Sequence, residues 1–152
     1  MSSRTYTERE LRLALEWASA RYPGYRTINR YRIATPPPLI PPGFTAAQAV
    51  ALFKPTNFMA DLVIVVGQNT LVVEAKTDNE SQAIGQLKFY VWLMRKYGTL
   101  QDVPVDNVVP VLLYAREYPD LVAFAKSEGI AVELYSPDWI QPFLKSGYTG
   151  AV

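Results

Sequence analysis

The chain contains neither cysteine nor histidine among its 152 residues. It therefore forms no disulfide, no Cys/His zinc site, no thiolate-bound iron–sulfur cluster and no histidine-based triad. Acid–base or metal chemistry has to come from Asp, Glu, Lys, Tyr, Gln or Asn, and such oxygen-rich ligand sets suit Mg²⁺ or Mn²⁺. Also missing is an apolar run near the roughly 20 residues that span a bilayer. The opening residues, MSSRTYTERE, have no apolar stretch of the secretory kind. The expectation is an intracellular, cytoplasmic protein without membrane contact. Charge is scarce and almost balanced, with 15 Lys and Arg against 14 Asp and Glu.

What is present suits a single α/β domain over residues 1–152, long enough for a real core at 49% hydrophobic content. Residues 7–21 read as an amphipathic helix with Leu11, Ala14, Leu15, Ala18 and Tyr22 on one stripe. Thr7 with Glu10, or Thr5 with Glu8, supplies a capping box, and Pro23-Gly24 stops the helix. Residues 25–34 alternate as a strand. There Arg21, Arg26, Arg30 and Arg32 interleave with Tyr22, Tyr25 and Tyr31 without an acid, a pattern that suits phosphate contact plus stacking and equally a solvated strand face. A Pro-rich insertion follows over 35–58, with a short helix from Thr45 to Phe53 behind a threonine cap. Asn79 or Ser81 caps a long helix to Tyr97, with Ala83, Leu87, Val91 and Met94 as its core stripe. Gln82, Gln86 and Tyr90 run along one edge of that stripe. Phe89 and Trp92 lie on the far side near Lys88 and Arg95, and mark a partner surface, such as that of a homodimer, or a second core contact. Val108–Ala115 reads as a strand buried on both faces, 119–128 as a helix, and Ile130–Tyr135 as a last strand reached by a parallel crossover. A short C-terminal helix and a frayed tail from Gly147 complete the chain. The order is α-β-β-β-α-β-α-β.

The stretch ADLVIVVGQNTLVVEAK, residues 60–76, holds the chemistry. Two apolar β-rich runs flank a polar turn, which is a hairpin signal. A two-residue loop at Gly67-Gln68 sets Asp61 across from Glu74; a loop at Gln68-Asn69 sets it across from Lys76. In either register Asp61, Glu74 and Lys76 share one face. Two carboxylates about 5 Å apart repel by roughly 3 kcal/mol at an effective dielectric near 20. A shared proton or a divalent cation removes that penalty, and Lys76 can orient a water or steady charge on a phosphate. The same charges would also suit a capped strand and a solvated ion pair. Strands as apolar as LVIVV belong to the centre of a sheet, however, and charges at their ends sit at its rim, where sites cluster.

Asp61 followed by Glu74-Ala75-Lys76 resembles the PD-(D/E)XK nuclease signature, with Ala60 where the signature has proline. The element order resembles the core of that restriction-endonuclease-like superfamily, a mixed sheet of about four to five strands between helices. Gln86-Leu87-Lys88-Phe89-Tyr90 resembles the Q-x-x-x-Y motif of the RecB-type and lambda-exonuclease-like branch. The resemblance covers residues 7 to about 135. It implies a Mg²⁺- or Mn²⁺-dependent hydrolase of DNA phosphodiesters. Asp61 and Glu74 would be metal ligands with the Ala75 carbonyl as a third, and Lys76 would position the attacking water. Gln86 would contact the site or the nucleic acid with Tyr90 in support, and an acid of the first helix would join them. Glu8 is favoured for that by its angle, Glu10 being explained as a capping residue. Arg26, Arg30 and Arg32 would hold the DNA backbone. The alternative is a catalytically silent nucleic-acid-binding or assembly module on the same fold.

Overall fold

The computed structural model describes residues 3–36, 40–52, 58–78 and 80–144, with side chains left aside at 3–7 and 50–52. Of the sequence expectations, Pro37, Pro38, Phe53, Asn79 and the tail from Gly147 lie outside the described residues. Helix α1 spans Ser3–Arg21. Because it begins at Ser3, Thr5 and Thr7 are helical and open no capping box there. Its buried stripe is Glu10, Leu13, Ala14, Trp17 and Ala18, the spacing of one helix face. Leu15 is left exposed. The large indole of Trp17 sets this rotation, since it has the most surface to bury.

Strand β1, Arg26–Arg32, leads to α2, Ala46–Leu52. The expected threonine cap forms there: Gln48 N–H donates to Thr45 Oγ1 at 3.2 Å, and Thr45 N–H donates to Gln48 Oε1 at 2.9 Å. The hairpin is β2, Met59–Val66, and β3, Asn69–Lys76. Val66 pairs with Asn69 and Leu62 with Val73, so the loop is Gly67-Gln68. Gly67 takes φ 62°, as a two-residue hairpin turn requires. Then follow α3 (Gln82–Lys96), a 3-10 turn (Gly98–Leu100), β4 (Asn107–Tyr114), α4 (Pro119–Ser127), β5 (Ala131–Leu134) and a 3-10 helix at Asp138–Phe143. Ser81 is the N-cap of α3 but makes no side-chain cap bond.

The five strands form one sheet in the order β1-β2-β3-β4-β5. β2 runs antiparallel to both of its neighbours, and β3, β4 and β5 are parallel. Alternation along the strands divides their apolar residues between two cores. Leu62, Ile64, Val73, Val111 and Leu113 pack under Leu13 and Trp17 of α1 with Ile140. Val63, Val72 and Leu112 pack under α3 and α4, against Leu87, Met94 and Ala125. Burial of each such side chain contributes about 1.5–3 kcal/mol. With apolar layers on both sides, polar groups of β2 and β3 can reach solvent only at the strand ends.

Candidate active site at the open end of the hairpin

At the turn end the hairpin closes with a regular ladder. At the other end side chains replace it. Asp61 N–H donates to Glu74 Oε1 at 3.2 Å, and Ala75 N–H donates to Asp61 Oδ2 at 2.9 Å. Burial raises Asp61 above the ordinary carboxylate range, opposed by the Ala75 amide and the Lys76 charge. Glu74 is pushed up to about 9 by burial and then by the charge of Asp61.

Lys76 stands two residues on, its Nζ 3.4 Å from Glu80 Oε2 and 3.8 Å from Glu10 Oε2. Burial alone would lower it, but the charges of Glu10, Glu74, Glu80 and Asp61 outweigh that and raise it, so it stays an ammonium. Glu10 is 4% exposed, and burial lifts its carboxyl to about 8 against the pull of Lys76. Its Oε1 is buried and finds no hydrogen-bond partner among the described residues. Tyr90 is buried on α3, and its hydroxyl is pushed up to about 12 by burial and by the charges of Glu74 and Asp61. It is therefore a proton donor at neutral pH.

No family model and no curated protein matches the sequence. Solved structures do. A complex of EndoMS with double-stranded DNA matches with a TM-score of 0.52 at 20% identity, over 86% of this chain and 44% of that one. A repair endonuclease from Pyrococcus abyssi matches with a TM-score of 0.51 at 18% identity, over 90% of this chain and 48% of that one. The fold is restriction-endonuclease-like. The chain spans a little under half the length of these two proteins.

Within this restriction-endonuclease-like fold, Asp61, Glu74 and Lys76 stand together, and Glu10 joins them from α1. Glu8, favoured by the sequence, is exposed, and Glu10 takes the position beside Lys76 instead. The reason is the rotation of α1: Glu10 continues the stripe of Leu13, Ala14 and Trp17, whereas Glu8 falls off it. That i, i+3, i+4, i+7 spacing was the missed signal. Gln86, one turn before Tyr90, is exposed and makes no hydrogen bond to the cluster among the described residues. Of the arginines, Arg26 is bound to Asp102, with Nη1 donating to its carbonyl at 3.1 Å and Nη2 3.6 Å from Oδ2. Arg32 is exposed. Tyr31 is structural, its hydroxyl donating to Gln101 Oε1 at 2.8 Å. Phe89 and Trp92 are 42% and 53% exposed and stack on each other, with Phe58 edge-on to Phe89.

The donor set fits a divalent ion of the magnesium kind. Among the described residues no three carboxylates converge as a ready-made cage. Mg²⁺, however, is held by one or two protein carboxylates, with water and substrate phosphate completing its shell. Asp61 and Glu74 each accept a backbone amide through one oxygen. Two buried acids that resist losing their protons, with an orphaned Glu10 oxygen nearby, leave a deficit of positive charge that a cation would relieve. Among the described residues no helix is long and apolar enough to cross a membrane.

Proposed function

We propose that the protein is a metal-dependent nuclease that hydrolyses DNA phosphodiester bonds. One observation carries this reading: a buried carboxylate pair, Asp61 and Glu74, with the Lys76 ammonium and the acid Glu10, at the open rim of an otherwise apolar sheet. A pair so placed costs desolvation that its two backbone hydrogen bonds offset only in part, since both acids are held above their ordinary pKa. The DNA complex and the repair endonuclease on the same fold support the choice of substrate.

Asp61, Glu74 and the Ala75 carbonyl would hold Mg²⁺ or Mn²⁺, which when bound supplies Lewis-acid stabilisation of charge on the phosphate. Lys76, fixed as a cation, orients the attacking water and offsets charge developing on the phosphate oxygens. Glu10 and Glu80 hold the Lys76 ammonium in position. Tyr90, a protonated hydroxyl within the field of the pair, would support the site, and Gln86, exposed one turn earlier, would meet the nucleic acid.

The test is incubation with linear, circular and branched DNA, with and without Mg²⁺ or Mn²⁺, beside Glu74→Ala and Lys76→Ala. Metal-dependent cleavage lost in both variants is expected. Cleavage unchanged in both would overturn the site. Salt-sensitive DNA binding without cleavage would favour a catalytically silent binding or assembly module.

A further inference from the structure

Among the described residues, Arg30 alone combines a positive φ, 52°, with a side chain other than hydrogen. It lies on β1, the edge strand of the sheet. Asn29 pairs with Leu62 and Tyr31 with Ala60, so Arg30 stands opposite Asp61, at the one position where the ladder is interrupted.

The conformation has a structural use. Ile28 and Tyr31, three residues apart, join the same core, and so do Val63 and Ala60 on β2. A regular strand would turn such residues to opposite faces. The alternation changes phase at Arg30 and at Asp61, and the left-handed backbone of Arg30 accomplishes this on β1. Glycine or asparagine would serve the backbone at lower cost, the penalty for other L-residues being about 1–2 kcal/mol. The arginine side chain brings no compensating contact: it is exposed and forms no hydrogen bond or ion pair among the described residues. Its charge does reach the site, where it favours the ionised form of Asp61.

Arg32 on the same strand is exposed too but pairs with Met59 and not with Asp61, and two other cations near the site are engaged. Lys76 lies between Glu10 and Glu80, and Arg26 is bound to Asp102. A phosphate approaching two carboxylates is repelled, and a planar guanidinium can bind two of its oxygens at once. We propose that Arg30 is the phosphate-binding residue of the site, taking two oxygens of the strand being cut from the open edge of the sheet beside Asp61 and Glu74. The strained backbone is retained with an arginine because the side chain is needed there. This rests on the nuclease reading above.

The test is Arg30→Gly and Arg30→Asn beside wild type, with melting temperature, steady-state cleavage and DNA binding measured. Binding is measured in a Glu74→Gln background so that the DNA stays intact. Both variants should melt at or above wild type, while kcat/KM falls roughly tenfold to a hundredfold, as loss of a hydrogen-bonded charge does. The slope of log affinity against log salt should flatten by about one. Added guanidinium should restore part of the cleavage in Arg30→Gly and leave wild type unchanged, and Arg30→Lys should keep the salt slope but not the full rate. Full cleavage by Arg30→Gly would overturn the proposal and leave the nuclease reading standing. Melting far below wild type in both variants would also overturn it, since the arginine would then serve the fold. Absence of cleavage by wild type with every metal and DNA would defeat the nuclease reading itself.

Discussion

The two ends of the β2–β3 hairpin obey different rules. At the turn, Val66 faces Asn69, Val65 faces Thr70, and Gly67 takes the positive φ that a tight loop demands. Every feature there lowers the free energy of the fold. At the open end Asp61 and Glu74 stand together, each bonded to a backbone amide, both held above their ordinary pKa by burial. Their desolvation is only partly offset by those two bonds. One hairpin thus joins a stable end to a disfavoured one, and the disfavoured end holds the chemistry. The apolar strands between them make this tolerable, because they fix the positions of the charges by burial alone.

The comparison breaks most readily at the charged end. Glu74→Gln should lower DNA cleavage by roughly a hundredfold or more, the scale of losing a main electrostatic group of a site. The same change should raise the melting temperature of the chelated protein at neutral pH, because the glutamine amide enters the buried site without having to take up a proton. Lower stability with full activity would reverse the assignment of the two ends.

Titration should separate the ends next. Glu10 and Glu74 hold their protons more tightly folded than unfolded, at about 8 and about 9 against an ordinary 4.5. Folding therefore takes up protons, and the stability these groups supply is complete below about pH 4.5. In chelator the melting temperature should fall as pH rises through 8 and 9, and Mn²⁺ should flatten that fall by taking the place of the protons. Thermal melts from pH 5 to 10, with and without metal, check both slopes; a flat profile in chelator would contradict the burial of these acids.

Gly67→Ala tests the turn. Open space surrounds the position, so the cost is conformational, about 1–2 kcal/mol for a left-handed L-residue. Cleavage per folded molecule should not change. The smallest effect is expected of Glu8→Gln, within about 0.5 kcal/mol as for most surface changes, and with unaltered cleavage. Glu10→Gln should instead stabilise the chelated protein at pH 9 and alter the pH dependence of cleavage. Equal behaviour of the two would return Glu8 and Glu10 to the same footing.

Much of this was legible in the chain. The apolar runs and the Gly-Gln-Asn turn bring Asp61, Glu74 and Lys76 to one strand end in either register, since period-two alternation leaves no other outcome. The element order follows from similar local patterns, and its resemblance to the restriction-endonuclease-like core implied the fold. The third acid was misplaced. Whether Glu8 or Glu10 turns inward depends on the rotation of α1, and the burial of Trp17 against the sheet decides that.

The arginine-rich strand was legible only as a set. Arg26 is neutralised by Asp102, 76 residues further on, a pairing no local pattern shows. Arg30 differs from Arg32 because β1 and β2 change phase together, which is a property of two paired strands and not of either alone. By itself, then, the sequence determined the element order, the hairpin and three of the charged residues at its open end, through short-range periodicity and turn chemistry. The tertiary structure decided the register, the inward acid and which arginine keeps its charge available. Those depend on how separately formed elements bury against one another, and that energy is shared among residues far apart in the chain.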